Sequence, residues 1–126
     1  LVVLADMDFG VVGTTILVSK EGDASLYTTK GGAIMGGGQH EHIRAAAKRL
    51  LAEAGKHLKS MTPTTTFPFP TGGNVRFYVR TSKQILMAEA PIANMFDNAH
   101  PLSPLFGAAM DVGMPLQDLA AKNKSK

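Results

Sequence analysis

The sequence predicts an α+β domain in which one antiparallel sheet, built from two β-hairpins, is flanked by a long helix and a C-terminal helix. Three observations lead to this prediction. Two stretches have strand-like patterns around short polar turns, an apolar stripe with helical spacing lies between them, and a second helical pattern follows. A chain of 126 residues is long enough to bury one core. We expect residues 1–121 to form a single α/β domain, followed by a basic tail at 122–126.

The two hairpins are predicted from residue type and alternation. In residues 11–29, a segment rich in valine, isoleucine and threonine is followed by the polar turn Lys-Glu-Gly-Asp and then by an alternating segment. In residues 74–90, apolar residues alternate with arginine and tyrosine before a Ser-Lys turn and a returning strand. Residues 1–7 predict an additional strand.

Two helices are predicted from apolar spacing and from capping residues. A helix over residues 39–60 is indicated by a stripe made of Ile43, Ala47, Leu50, Leu51, Ala54, Leu58 and Met61. Ser103 and Pro104 are typical of a helix start, and Pro115 is expected to restart or kink the C-terminal helix. We expect the long helix to cover one face of the sheet, with the C-terminal helix at the edge or on the other face. Residues 62–73, with three prolines and two glycines, predict an extended loop.

The charge, the apolar runs and the lack of cysteine indicate which kinds of partner and which cellular location to expect. The net charge of +3 equals the contribution of Lys122, Lys124 and Lys126, so the rest of the chain is neutral. A neutral body does not favour a nucleic-acid partner, which requires a concentrated basic face. No apolar run approaches the ~18 residues of a membrane span. The chain has no cysteine, which agrees with a reducing compartment, and we expect a cytoplasmic location without a membrane partner.

The segment VRFYVRTSKQILMAEAP, residues 75–91, is similar to the central hairpin of roadblock proteins. The order of elements over residues 11–90 resembles the roadblock/light-chain-7, longin and profilin-like group of small α/β domains. The chain departs from that pattern after Pro91, where the family continues with another strand, and it lacks a clear N-terminal helix. Because roadblock-like domains commonly dimerise, the resemblance implies self-association.

The segment GGAIMGGGQHEH, residues 31–42, contains five glycines and two histidines directly before the long helix. Backbone N–H groups in such a stretch can bind an anion, with help from the helix dipole. The other interpretation, which we favour, is a tight turn that passes close to the sheet, with at least one glycine at positive φ. The spacing matches neither a P-loop nor a dinucleotide fingerprint. The candidate ligand-binding residues are Lys30, Gly36, Gly37, Gly38 and His40.

Titratable residues do not predict a catalytic or metal site. On a regular helix His40 and His42 would diverge, with His40 toward the apolar stripe and His42 toward solvent. Asp6 and Asp8 would share one face of a strand, and we expect them to be a solvated pair at its end. We therefore predict no catalytic residue, no metal and no cofactor.

Methionine and phenylalanine are enriched in residues 85–114, which indicates either a partner surface or an ordinary core beneath the last helix. The predicted function is a non-catalytic, cytoplasmic interaction domain that self-associates, most simply as a homodimer, and that could also bind another protein. The alternative is a small-molecule or anion-binding domain, conceivably an enzyme, at residues 31–42. The candidate interface residues are Met87, Met95, Phe96, Phe106 and Met110.

Overall fold

The computed structural model of the chain describes residues 1–29, 33–34, 37–96 and 100–124. Within these ranges, seven strands form one antiparallel sheet and two α-helices pack against it, which confirms the predicted fold class. The strands are β1 (Val2–Asp8), β2 (Gly13–Val18), β3 (Ala24–Thr28), β4 (Ala33–Ile34), β5 (Thr62–Pro63), β6 (Asn74–Arg80) and β7 (Ile85–Pro91). The helices are α1 (Glu41–Gly55) and α2 (Ser103–Lys124).

Strand β1 is the central strand that joins the two predicted hairpins. The strand order is β4-β3-β2-β1-β6-β7-β5, so β1 pairs with β2 on one side and with β6 on the other. The sequence predicts residues 1–7 as an additional strand but does not indicate this central position. Their central position explains why Val3, Ala5 and Met7 are fully buried.

One face of the sheet, here called the inner face, forms the core with both helices. Ala5 of β1 lies opposite Ile16 of β2 and Phe77 of β6, and all three side chains point to this face. Burying each large apolar side chain is worth roughly 1.5–3 kcal/mol, so this layer is the main source of stability. The largest fully buried side chains are Phe77, Met7, Ile16, Ile43, Leu50, Leu105, Leu116, Val3, Val18, Val75, Val79 and Val112.

Helix α1 is shorter than the predicted range of 39–60. The apolar stripe is buried as expected, but the α-helix ends at Gly55, and a short 3₁₀ helix, Leu58–Ser60, follows. The backbone N–H of Lys56 donates to the carbonyl of Glu53, which tightens the last turn. Met61 is still buried, although it lies outside the helix.

Helix α2 lies on the inner face beside α1, where it contacts β2, β3 and the edge strand β4. Of the two predicted positions, the edge of the sheet is confirmed and the other face is wrong. Its stripe of Leu105, Ala109, Val112 and Leu116 is fully buried. The helix approaches β2 closely, because a Cβ atom added at Gly113 would lie 2.7 Å from Cδ1 of Ile16. The helix also continues through Pro115, so the predicted alternative of a restart is wrong.

The opposite face of the sheet, here called the outer face, is not covered by α1 or α2. It is crossed by residues 64–73, here called the strap, which connect β5 at one edge of the sheet to β6 near its centre. The outer face and the strap contain most of the polar side-chain contacts described below.

Candidate functional site

The described part of the glycine-rich stretch is packed against the core. Gly37 is buried, and a Cβ atom added there would lie 2.6 Å from Cδ2 of Leu116 and 3.0 Å from the carbonyl oxygen of Ala24. Its φ lies outside the left-handed region, so positive φ is not the reason for glycine at this position. The reason is close approach, which agrees with a tight turn and leaves no space for a ligand beside Gly37.

The remaining candidate residues of this stretch do not converge in the described structure. Lys30 and Gly36 lie outside the described residues, and Gly38 belongs to a short 3₁₀ helix. His40 precedes α1 with φ −94° and ψ 121°, so helical spacing does not apply to it. The expectation that His40 faces the apolar stripe is therefore wrong. Its side chain is exposed, and its ring centroid lies 6.2 Å from that of His42 in an edge-on contact.

The five candidate interface residues separate into core and surface positions. Met95 and Phe106 are buried in the core of a single copy, so the alternative of an ordinary core applies to them. Met110 is half-buried against the same core. Phe96 is 57% exposed and contacts Phe106 edge-on, with 5.8 Å between ring centroids. Met87 is half-buried and lies on the outer face.

Met87 belongs to a line of apolar side chains that crosses four strands of the outer face. Leu17 lies opposite Leu4, Leu4 lies opposite Tyr78, and Tyr78 lies opposite Met87. We call these four residues the apolar row. Tyr78 is only 2% exposed, whereas Leu4, Leu17 and Met87 are half-buried. The row therefore leaves part of its apolar surface in contact with water.

A polar row runs parallel to the apolar row and is separated from it by two residues on each strand. It consists of Thr15, Asp6, Arg76 and Glu89. The Thr15 hydroxyl donates to Oδ1 of Asp6 at 2.6 Å. Arg76 forms an ion pair with Glu89, with Nε donating to Oε1 at 2.6 Å, and Nδ2 of Asn74 donates to Oε2 of Glu89 at 2.6 Å.

The carboxyl groups near the polar row have different environments. Asp6 is 5% exposed, and burial raises its pKa, although the Thr15 hydroxyl and Arg76 oppose this effect. Hydrogen bonds from Asn74 and Arg76 lower the pKa of Glu89. The expected solvated pair of aspartates is therefore wrong for Asp6, because β1 is a central strand with neighbours on both sides.

The strap is attached to the outer face next to both rows. The ring of Phe67 lies against that of Tyr78, with 5.0 Å between centroids. The carbonyl oxygen of Pro68 accepts hydrogen bonds from the Tyr78 hydroxyl at 2.7 Å and from Nη1 of Arg76 at 2.9 Å. One backbone carbonyl thus receives two side-chain donors directly after Phe67.

Two further contacts attach the strap near the β1–β2 turn. The ring of Phe69 lies so close to β2 that a Cβ atom added at Gly13 would be 2.7 Å from Cζ of Phe69. The backbone N–H of Gly73 donates to Oδ2 of Asp8 at 3.0 Å, and this bond lowers the pKa of Asp8. Sequence reasoning predicted an extended loop here but not its contacts, because the partners of the strap are distant in the chain.

The polar side chains of this region bind one another. Every buried side-chain nitrogen or oxygen among the described residues has a hydrogen-bond partner, so the polar row is internally satisfied. No group of three or more His, Cys, Asp or Glu in the described part of the chain is placed to hold a metal ion. One described groove, about 650 Å³, is lined by Pro63–Thr65 and Lys83–Ile85 at the edge of the sheet.

No helix in the described ranges combines the length and apolar character that are needed to cross a bilayer. Comparison of the chain with family models, curated proteins and solved structures finds no match. The resemblance to the roadblock group therefore stays a prediction.

Proposed function

We propose that this chain is a non-catalytic interaction domain that self-associates through the outer face of its sheet. The observation that carries the proposal is an apolar surface formed by Leu4, Leu17, Phe67 and Met87, which we call the outer patch. Three of these residues are half-buried members of the apolar row, and Phe67 is 49% exposed against Tyr78. A second copy of the chain would remove this surface from water, which is favourable in proportion to the apolar area buried.

The charges beside the outer patch support a second copy as the partner. Arg76 is paired with Glu89, and Asp6 faces Thr15 and Arg76, so the neighbouring polar row carries little uncompensated charge. The row has two carboxyl groups, Asp6 and Glu89, and one guanidinium, Arg76, so each face carries at most one uncompensated negative charge. Repulsion between two such faces is limited to that charge, and the same patch then serves both subunits across a two-fold axis.

The exposed face of α1 is less suited to self-association. It carries three cationic side chains, with a fourth directly after its C-terminal end, against the two carboxyl groups of Glu41 and Glu53. Two copies that docked through this helix would bring like charges together, which is unfavourable. The four cationic residues are Arg44, Lys48, Arg49 and Lys56.

A cytoplasmic location is part of the proposal and is supported by the cysteine-free sequence. A homodimer is the simplest assembly, because closed two-fold symmetry is the commonest arrangement of soluble homo-oligomers.

Sedimentation equilibrium of the protein and of Leu17→Glu tests the proposal. Leu17 lies on the outer patch, so a two-fold interface would bury the new carboxylate twice. We expect the dimer dissociation constant to rise by at least ~100-fold, because each large apolar side chain buried is worth roughly 1.5–3 kcal/mol. Circular dichroism checks that the variant folds.

The matched control is Met114→Glu. Met114 is 58% exposed on α2, in the helical layer on the other side of the sheet, and its replacement should leave the dissociation constant unchanged. Two results contradict the proposal: a 13.3 kDa monomer at every accessible concentration, or dissociation by Met114→Glu but not by Leu17→Glu.

A further inference from the structure

We propose that the strap is a preorganised recognition element that holds Phe67 in a fixed position for contact with a second copy of this chain. In this proposal Gly13 and Tyr78 are positioning residues: they act on the interface through the strap and not by touching the partner. The inference rests on the proposed function and names the side chain at the centre of the interface.

The first anchor lies directly beside Phe67. Tyr78 is almost fully buried beneath the Phe67 ring, and its hydroxyl donates to the carbonyl of the next residue, Pro68. Arg76 donates to the same carbonyl and is itself fixed by its ion pair with Glu89. The backbone that carries Phe67 is therefore held from below by two residues of β6.

The second anchor is the contact between Phe69 and Gly13. The ring of Phe69 occupies the space that a side chain at position 13 would fill, with Cζ and Cε1 at 2.7 and 2.9 Å from an added Cβ. Glycine at this strand position is therefore explained by the strap together with Thr29, whose Cγ2 would lie 2.9 Å from the added Cβ. Its φ lies outside the left-handed region, so the backbone itself does not require glycine.

The strap is also stiff by composition and attached at its far end. Pro68 and Pro70 fix φ on either side of Phe69. Gly73 is held by Asp8 of β1, and its positive φ of 78° allows the chain to turn into β6. The anchors thus lie on three strands, β1, β2 and β6. An element that is ordered before binding loses less conformational entropy on association.

A second copy fits this arrangement because each chain presents both a projecting ring and an apolar row. Across a two-fold axis, Phe67 of one copy would face Leu4 and Leu17 of the other, and the same contact would recur by symmetry. The paired charges of the polar row lie alongside and do not oppose this approach.

The test compares Tyr78→Phe and Gly13→Ala with Gly107→Ala. Tyr78→Phe removes the hydroxyl that binds Pro68, and Gly13→Ala places a Cβ atom 2.7 Å from Cζ of Phe69 and 2.9 Å from Cγ2 of Thr29, so the Phe69 ring must shift. We expect each variant to weaken the dimer by about 10-fold, since a hydrogen bond or small contact is lost twice per dimer. Gly107→Ala, with open space around the added methyl group, should leave the dissociation constant unchanged.

A double-mutant cycle with Phe67→Ala separates positioning from a general structural effect. If Tyr78 acts through Phe67, Tyr78→Phe weakens the wild-type dimer but adds nothing in the Phe67→Ala background. Backbone order parameters give a second readout, taken at concentrations where the chain is monomeric. We expect values near ~0.8 at Phe67 and Phe69 in the wild type, and values toward ~0.6 in Tyr78→Phe and Gly13→Ala.

The failures of the two proposals are distinguishable. If Leu17→Glu dissociates the dimer while Tyr78→Phe and Gly13→Ala leave its dissociation constant unchanged, the recognition element is overturned and the interaction domain stands. Additive effects in the cycle, or low order parameters at Phe67 in the wild type, also overturn it. A chain that is monomeric at every concentration overturns both proposals.

Discussion

The packing around Gly37 predicts that Gly37→Ala destabilises the fold by about 1–3 kcal/mol, the usual cost of inserting a methyl group into a filled core. The added Cβ would lie 2.6 Å from Cδ2 of Leu116, which is fully buried and has little room to move. It would also lie 3.0 Å from the carbonyl oxygen of Ala24, a backbone atom of β3. The two close contacts can therefore be relieved only if α2 or the turn at Gly37 shifts.

Thermal denaturation measures this cost. For a chain of 126 residues, the average unfolding entropy per residue makes 1 kcal/mol equivalent to about 4 °C in Tm. Gly37→Ala should therefore lower Tm by about 4–12 °C, given a cost of 1–3 kcal/mol. The control Gly107→Ala, in an exposed and uncrowded position of α2, should raise stability by roughly 0.5–1 kcal/mol.

The same experiment decides between the two interpretations of residues 31–42. Measured with and without inorganic phosphate, the wild type should show no phosphate-dependent rise in Tm, because the space beside Gly37 is filled by Leu116 and Ile43. A ligand at 100 times its Kd would stabilise the chain by about 2.7 kcal/mol. The packed turn would be refuted if Gly37→Ala left Tm unchanged and if phosphate raised the Tm of the wild type but not that of this variant.

Two carboxyl groups of the polar row predict opposite pH effects. Burial raises the pKa of Asp6 above its usual value of 3.8, so ionisation of this carboxyl group lowers the free energy of unfolding as pH rises from 3.8 through the raised pKa. Asp6→Asn should therefore be more stable than the wild type at neutral pH and equally stable in acid. The pKa of Glu89 is lowered, so the ionised carboxylate stabilises the fold above about pH 4.5, and this stabilisation is lost as pH falls through the lowered pKa. Glu89→Gln should therefore reduce the free energy of unfolding by about 1 kcal/mol at neutral pH and leave it unchanged in acid. Urea denaturation of both variants from pH 3 to pH 7 checks the signs, and parallel pH profiles would contradict them.

Local periodicity was sufficient to predict the elements that form the core. The alternation in residues 74–90 and the apolar stripe in α1 each depend on neighbours in the chain, and the structure buries Phe77 and Leu50 as those patterns require. For α2, the pattern Ser103–Pro104 predicted the start of the helix. It did not reveal that α2 lies beside α1, because the position of a helix on a sheet depends on contacts such as that between Gly113 and Ile16.

The outer face could not be predicted in the same way. Gly13 and Phe69 are 56 residues apart in the sequence, and neither residue type alone indicates that one occupies the space left by the other. The sequence contains one partial indication of the polar row, because Asp6 lies within the otherwise apolar segment of residues 1–7. Burial of Asp6 does not follow from this indication alone, because it depends on the position of β1 between the two hairpins, with a neighbouring strand on each side.

The edge of the sheet formed by β5 and β7 is poorly suited to strand pairing with another copy of the chain. Strand β5 is two residues long and includes Pro63, and β7 ends at Pro91, so two positions along this edge lack a backbone N–H donor. Short strands and prolines are the features by which natural sheets prevent pairing with another copy. A second copy that avoids this edge and the cationic face of α1 meets the outer face, where paired charges flank an exposed aromatic ring. The features that oppose pairing at this edge and docking through α1 therefore support the proposal that a second copy binds the surface that carries Phe67.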